Sequence, residues 1–166
     1  MNQGDTPDPI LRSALPTDAD DIFALITELA AYERLAHHVR STPAILAEAL
    51  FGESPRVFCD IAEWDGHPAG LALWFYNFST FAGRHGLYLE DLYVRPEHRG
   101  RGLGVALLAG LARRCVQENL ARLDWSVLDW NAPSIGLYRR LGADMLDEWT
   151  GCRLSGAALH RLAERS

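Results

Sequence analysis

The chain has 166 residues, 48% of them hydrophobic and 23% charged, which suits one domain with a real core and is short for two. Sixteen basic residues against twenty-two acidic ones give a net charge of -6, which argues against nonspecific nucleic-acid binding and favours a cationic small-molecule partner. The three cysteines, Cys59, Cys115 and Cys152, match neither a disulfide framework nor a zinc spacing, so no metal is expected. Met1 to Pro9 lacks the pattern of a signal peptide and no apolar run is long enough to span a bilayer, so the expected location is the cytoplasm, with no membrane partner.

In chain order, residues 1–8 read as a flexible tail and 9–166 as a single domain. Ile10 to Leu15 reads as an edge strand closed by Pro16. Thr17 with Asp20 resembles a capping box, and Ile22, Leu25, Ile26 and Leu29 then recur at helical spacing. A second short helix is predicted from Thr42-Pro43, with Ile45, Leu46 and Leu50 apolar. Val57 to Trp64 and Ala69 to Phe78 read as strands joined at Asp65-Gly66, a strong hairpin signal. Leu87 to Val94 is the next strand. From Gly102, Leu103, Leu107, Leu111 and Cys115 fall four apart on one helical face. A strand over Leu123 to Leu128, a helix over Pro133 to Leu141, a strand near Cys152 to Leu154 and a short C-terminal helix complete the expectation. The order defines an α/β or α+β domain, a mixed sheet with helices on its faces.

The chemistry begins at Arg99-Gly100-Arg101-Gly102-Leu103-Gly104, between a strand and the most regular helix. A helix N-terminus presents unpaired N–H groups and a partial positive charge, so it favours an anion. Glycines remove the Cβ atoms that would hold a pyrophosphate off those donors. Arg99 and Arg101 add fork-shaped donors. The turn lacks the Gly-Lys-Ser/Thr ending of a Walker loop, and Val105 stands where a dinucleotide fingerprint needs its third glycine.

Upstream, Glu90 and Asp91 interrupt an apolar strand. Adjacent strand residues face opposite sides, so both cannot reach one face unless a bulge intervenes. A carboxylate turned inward without partners costs several kcal/mol, about the scale of burying an unpaired polar group, which makes this pair a functional candidate.

The pattern Arg-x-x-Gly-x-Gly in a strand–turn–helix setting resembles the pyrophosphate grip of the GCN5-related N-acetyltransferases. Tyr88-Leu89-Glu90-Asp91-Leu92-Tyr93-Val94 and Leu128-Asp129-Trp130-Asn131-Ala132-Pro133-Ser134, with Leu137-Tyr138-Arg139-Arg140-Leu141-Gly142-Ala143, are similar to the spermidine/spermine and thialysine branch. The resemblance runs from about Ile10 to the C-terminus. It implies a mostly antiparallel sheet of about six to seven strands, splayed between the fourth and fifth, with helices on both faces. It also implies an acetyl-CoA-dependent transfer to the primary amine of a small cation (a lysine-like amino acid, a diamine or a polyamine) in a ternary complex, and a homodimer.

By the same resemblance the backbone of Leu92, Tyr93 and Val94 pairs with the pantetheine, and Arg99 to Gly104 hold the phosphates. Glu90 is the general base, through water, and Tyr138 the acid for the departing thiolate. Asn131 and Ser134 contact the cofactor. As plain structure, these two also fit a helix N-cap and first turn, and Tyr138 fits a packing residue. Glu28 and Asp91 match acids that hold the acceptor. Ser79-Thr80-Phe81 and Trp149-Thr150-Gly151-Cys152 replace acidic or aromatic motifs of the polyamine enzymes, which favours a shorter amine. His98 reads as surface. A non-catalytic acyl-CoA-binding module and a protein-lysine acetyltransferase are the competing readings.

Overall fold

The computed structural model describes residues 9–165, so the expected tail at 1–8 lies outside the described residues. The chain forms one compact unit through Ser126 and a second from Val127. The first unit holds a five-stranded sheet in the order β1-β2-β3-β4-β5: Ile10–Ser13, Phe58–Trp64, His67–Ser79, Arg84–Val94 and Leu123–Trp125. The first three pairings are antiparallel and β4 pairs with β5 in parallel. The sheet is therefore mixed and mostly antiparallel, as expected, but has five strands instead of six to seven. The strand expected at Cys152 to Leu154 is absent: that segment takes no regular structure.

Two helices of this unit, α1 (Ala19–Tyr32) and α2 (Pro43–Phe51), share one core with the sheet. Ile22, Leu25 and Leu29 of α1 and Leu50 of α2 pack with Cys59, Ile61, Leu71, Leu73 and Tyr93. Thr42 caps α2 by accepting from the Ile45 N–H at 3.2 Å, as its position before Pro43 suggests. The capping box expected at Thr17 and Asp20 does not form. A 3-10 turn over Pro16–Asp18 precedes α1, because Asp18 is drawn instead into two bonds from Arg12, at 2.6 and 2.9 Å, and one from the Leu15 N–H at 2.7 Å. Arg12 also reaches Glu63 at 2.7 Å, so β1 is tied both to the start of α1 and to β2.

On the opposite face lies α3 (Leu103–Gln117), with Leu103, Leu107, Leu108, Leu111 and Cys115 buried; it packs on β2, β3 and β4. Fully burying each of these leucines contributes about 1.5–3 kcal/mol. The hairpin between β2 and β3 turns at Asp65 and Gly66, both at positive φ (53° and 74°), the conformation that an Asp-Gly two-residue turn favours.

The second unit contains α4 (Ala132–Arg140) and α5 (Gly156–Ala163). Gly142, at φ 87°, ends α4. Between them residues 141–155 form turns and irregular chain on which Leu146 and Trp149 are exposed.

Candidate active site

Strand β4 carries the decisive irregularity. Leu73 of β3 opposes Asp91, and the next residue, Trp74, opposes Leu89. Glu90 is the extra residue of a β-bulge. Alternation would otherwise place Leu87, Leu89, Asp91 and Tyr93 on one face. The bulge flips that parity, so Leu89 sits opposite Trp74 while Asp91 and Tyr93 sit opposite Leu73 and Leu71 on the α1 side. Both acids consequently line one cleft of ≈ 370 Å³, with Ile26, Leu29 and Glu33 of the α1 end and His38 and Arg40 of the segment after it.

The electrostatics of this cleft are lopsided. Burial, then the neighbouring charges of Glu90 and Glu33, push the Asp91 carboxyl up to about 6, because a carboxylate loses solvation and meets like charge there. Burial also raises the Glu33 carboxyl above its usual range. None of the three forms an ion pair among the described residues. Glu33 is a cleft-lining residue that the sequence did not disclose; its one signal is a carboxylate ending an amphipathic helix, which is ordinary on a solvated face. Glu28 is placed differently. It lies outside the cleft lining and its carboxylate accepts from Arg95 Nε at 3.1 Å and from a terminal nitrogen at 2.9 Å. The aromatic run after Leu73 does not line the cleft either; Trp74 is buried beneath Arg114, whose guanidinium stands 4.7 Å from its ring.

Past the bulge, β4 leaves its parallel neighbour. Pairing with β5 covers only Leu87, Leu89 and Tyr88 between them, so among the described residues Glu90 to Val94 have no strand on that side. This is the splay that the resemblance implies. It leaves backbone groups of Leu92 open for an extended ligand. The backbone of Tyr93, expected on the same edge, faces β3 instead, in phase with the Arg95 N–H that donates to the Ala69 carbonyl at 2.9 Å, and the Val94 carbonyl accepts from Arg99 Nε at 2.9 Å.

The turn that follows is open. Gly100 and Gly102 have φ of 76° and 83°, a region costly for other residues. A Cβ built on either meets nothing within 4 Å, so no described residue crowds the space where those side chains would stand. Gly102 is the N-cap of α3, and the first helical N–H to find a helix partner is that of Ala106, bonded to the Gly102 carbonyl at 2.8 Å. The N–H groups of Leu103, Gly104 and Val105 before it have no backbone partner among the described residues, the arrangement that suits an anion at a helix N-terminus. Arg99 stacks over Tyr32 at 4.8 Å and Tyr93 at 5.6 Å, and Arg101 over Trp64 at 4.5 Å. Neither forms an ion pair among the described residues. His98, expected at the surface, is half-buried against Trp64, with its Nδ1 enclosed and unbonded.

In the second unit Asn131 caps α4, its Oδ1 accepting from the Ser134 N–H at 3.4 Å, so the plain structural role of these two residues is present. Asn131 and Tyr138 are 8% and 7% exposed. Arg139 and Arg140 are exposed. Cys115 is buried and its thiol is pushed up by burial, which makes it a poor nucleophile.

Comparison with known proteins agrees with this architecture. Residues 21–143 match the Acetyltransferase (GNAT) family. The chain is 36% identical to a thialysine N-epsilon-acetyltransferase of Mus musculus, covering 93% of this chain and 97% of that one. It is 30% identical to an L-ornithine N5-acetyltransferase of Arabidopsis thaliana, with 92% and 86% covered. An integron cassette protein of V. cholerae superposes with a TM-score of 0.80 at 24% identity, over 96% of this chain and 99% of that one. The chain belongs to the GNAT acetyltransferase family. Within it the chain is an N-acetyltransferase of the spermidine/spermine and thialysine branch.

Proposed function

We propose that this enzyme transfers the acetyl group of acetyl-CoA to the primary amine of a small cationic acceptor, by direct attack in a ternary complex. The observation that carries the reading is the bulge at Glu90, which puts two carboxylates into one cleft beside the splayed, unpartnered edge of β4. The names of the relatives, acting on thialysine and on ornithine, support an amine of that size.

The glycine turn fits a pyrophosphate: open space above Gly100 and Gly102, unpaired N–H groups of Leu103 and Gly104, and Arg99 and Arg101 at its flanks. Of Leu92, Tyr93 and Val94, Leu92 and the Val94 N–H present the open backbone edge for the pantetheine, with Asn131 and Ser134 as further cofactor contacts. The cofactor supplies a thioester carbonyl. The acceptor arrives as an ammonium, held by Asp91, Glu90 and Glu33. Its proton passes to a carboxylate of this group, directly or through water, which frees the lone pair. A carbon–nitrogen bond then forms as the carbon–sulfur bond breaks, the thiolate takes the proton held by the Tyr138 phenol, and the amide nitrogen sheds its surplus proton, which restores the phenol through water. A tyrosine acid of pKa about 10 is close enough to a thiol for that transfer. Glu28, held by Arg95, has a supporting role at the end of α1 and β4 instead of a direct one. The free thiols of Cys59, Cys115 and Cys152 support a cytoplasmic setting, and the family resemblance supports a homodimer and one catalytic domain.

The test is thiol release from acetyl-CoA across a panel of diamino acids, diamines, polyamines and lysine peptides. Turnover on small free amines supports the reading. Tight CoA binding with no turnover on any amine sinks it, and turnover confined to lysine peptides replaces it with protein acetylation.

A further inference from the structure

The acceptor cleft contains a cation as well as carboxylates. Arg40 lines it together with Glu33, Glu90 and Asp91. One of its terminal nitrogens donates to the carbonyls of His37 at 2.8 Å and Val39 at 3.0 Å, which fixes the guanidinium against its own loop. Its Nε and second terminal nitrogen are left with their donors, and Arg40 forms no ion pair among the described residues.

A guanidinium and three carboxylates thus share a cleft at the small end of the ligand-pocket range without pairing with one another. A ligand bearing only ammonium groups gains from the acids but meets Arg40 as a like charge. A ligand that carries an anion at one end and an ammonium at the other satisfies both. The planar fork of an arginine matches a carboxylate in two parallel bonds. We propose that Arg40 is the specificity residue that reads the α-carboxylate of the acceptor, so that the physiological substrate is a diamino acid, acetylated on its side-chain amine, and not the corresponding diamine. This rests on the amine-acetyltransferase reading above.

The experiment compares each diamino acid with a partner that lacks the free carboxylate: L-lysine with cadaverine and L-ornithine with putrescine, which are decarboxylated, and L-lysine with its methyl ester, in which the charge is masked. The wild-type enzyme is expected to prefer the free amino acid over diamine and ester by about tenfold or more in kcat/KM, the scale of a charged hydrogen-bonded contact. In Arg40→Gln that preference falls by about tenfold or more, chiefly through KM for the amino acid, and Arg40→Lys restores part of it. A loop merely disordered by loss of the His37 and Val39 contacts lowers both members of a pair alike and leaves the ratio unchanged. An unchanged ratio, or a wild-type enzyme that turns over cadaverine or spermidine better than the diamino acids, overturns the proposal while leaving the amine-acetyltransferase reading intact. Absence of thiol release with every amine overturns that reading and this proposal with it.

Discussion

Asp91 is the residue on which structure and function pull against each other. Its carboxyl titrates at about 6, against 3.8 for a free aspartate, so between those values the folded chain binds a proton that the unfolded chain has released. Stability therefore falls as pH rises from about 4 to about 6 and stays lower above it. The difference corresponds to about 1–3 kcal/mol once solvent screening is allowed for. Asp91→Asn removes that cost: denaturant midpoints at pH 7.5 are expected to rise in the variant, with the gain vanishing near pH 4. A variant less stable than wild type at pH 7.5 would show that Asp91 is held by contacts stronger than its desolvation. In the proposed mechanism the same burial suits Asp91 to accept a proton near neutral pH. Tyr138 is tested separately. Tyr138→Phe is expected to lower kcat by at least about tenfold, within the range for loss of a general acid, with the CoA dissociation constant nearly unchanged by calorimetry. Normal turnover would remove Tyr138 from the proton path.

Among the elements, the strand β4 and the turn after it do most to shape the site. The turn was legible in the sequence because Gly100, Gly102 and Gly104 recur between a strand and a helix of clear periodicity, and the phosphate site proposed there rests on their missing side chains. Gly102→Val is expected to weaken CoA binding by tenfold or more, since the branched side chain enters the open space and a non-glycine residue at φ 83° is strained by about 1–3 kcal/mol. An unchanged CoA affinity would contradict the phosphate cradle. The bulge was legible only as an alternative: two adjacent acids in an apolar strand demand either one outward and one inward side chain, or a parity switch. Composition does not decide between them, because a bulge is fixed by the partner strand's register, here the step from Leu73 to Trp74. Glu33 and Arg40 were not legible for a related reason. Each is an ordinary surface charge in the sequence, and only the approach of the α1 end to β4 puts them in one cleft. At the other extreme, the strand expected at Cys152 to Leu154 failed because three or four alternating residues do not specify a strand without a neighbour to pair with.

For the molecule as a whole, periodicity disclosed the α/β class and the order of elements through α3, and the mixed sheet followed from them. The acidic balance of -6 is concentrated in the cleft by the carboxylates of Glu33, Glu90 and Asp91, which is where a cationic acceptor is proposed to bind. Attraction between separated charges is screened at about 10 Å in 0.1 M salt, so KM for a cationic acceptor is expected to rise several-fold between about 0.05 and 0.5 M salt while kcat changes little. A salt-independent KM would mean that the acids act by contact alone. Light scattering addresses assembly directly: a homodimer is expected, and a monomer at micromolar concentration would contradict it. The most direct test of the account is the pH dependence of acceptor KM, from pH 5 to 8, in wild type and Asp91→Asn. His38 lines the same cleft, and comparing the two proteins separates its contribution from that of Asp91. If the bulge delivers Asp91 to the acceptor, wild-type KM rises steeply below about pH 6, and the variant's KM is at least about tenfold higher at neutral pH and nearly flat. Superimposable profiles in the two proteins would contradict it.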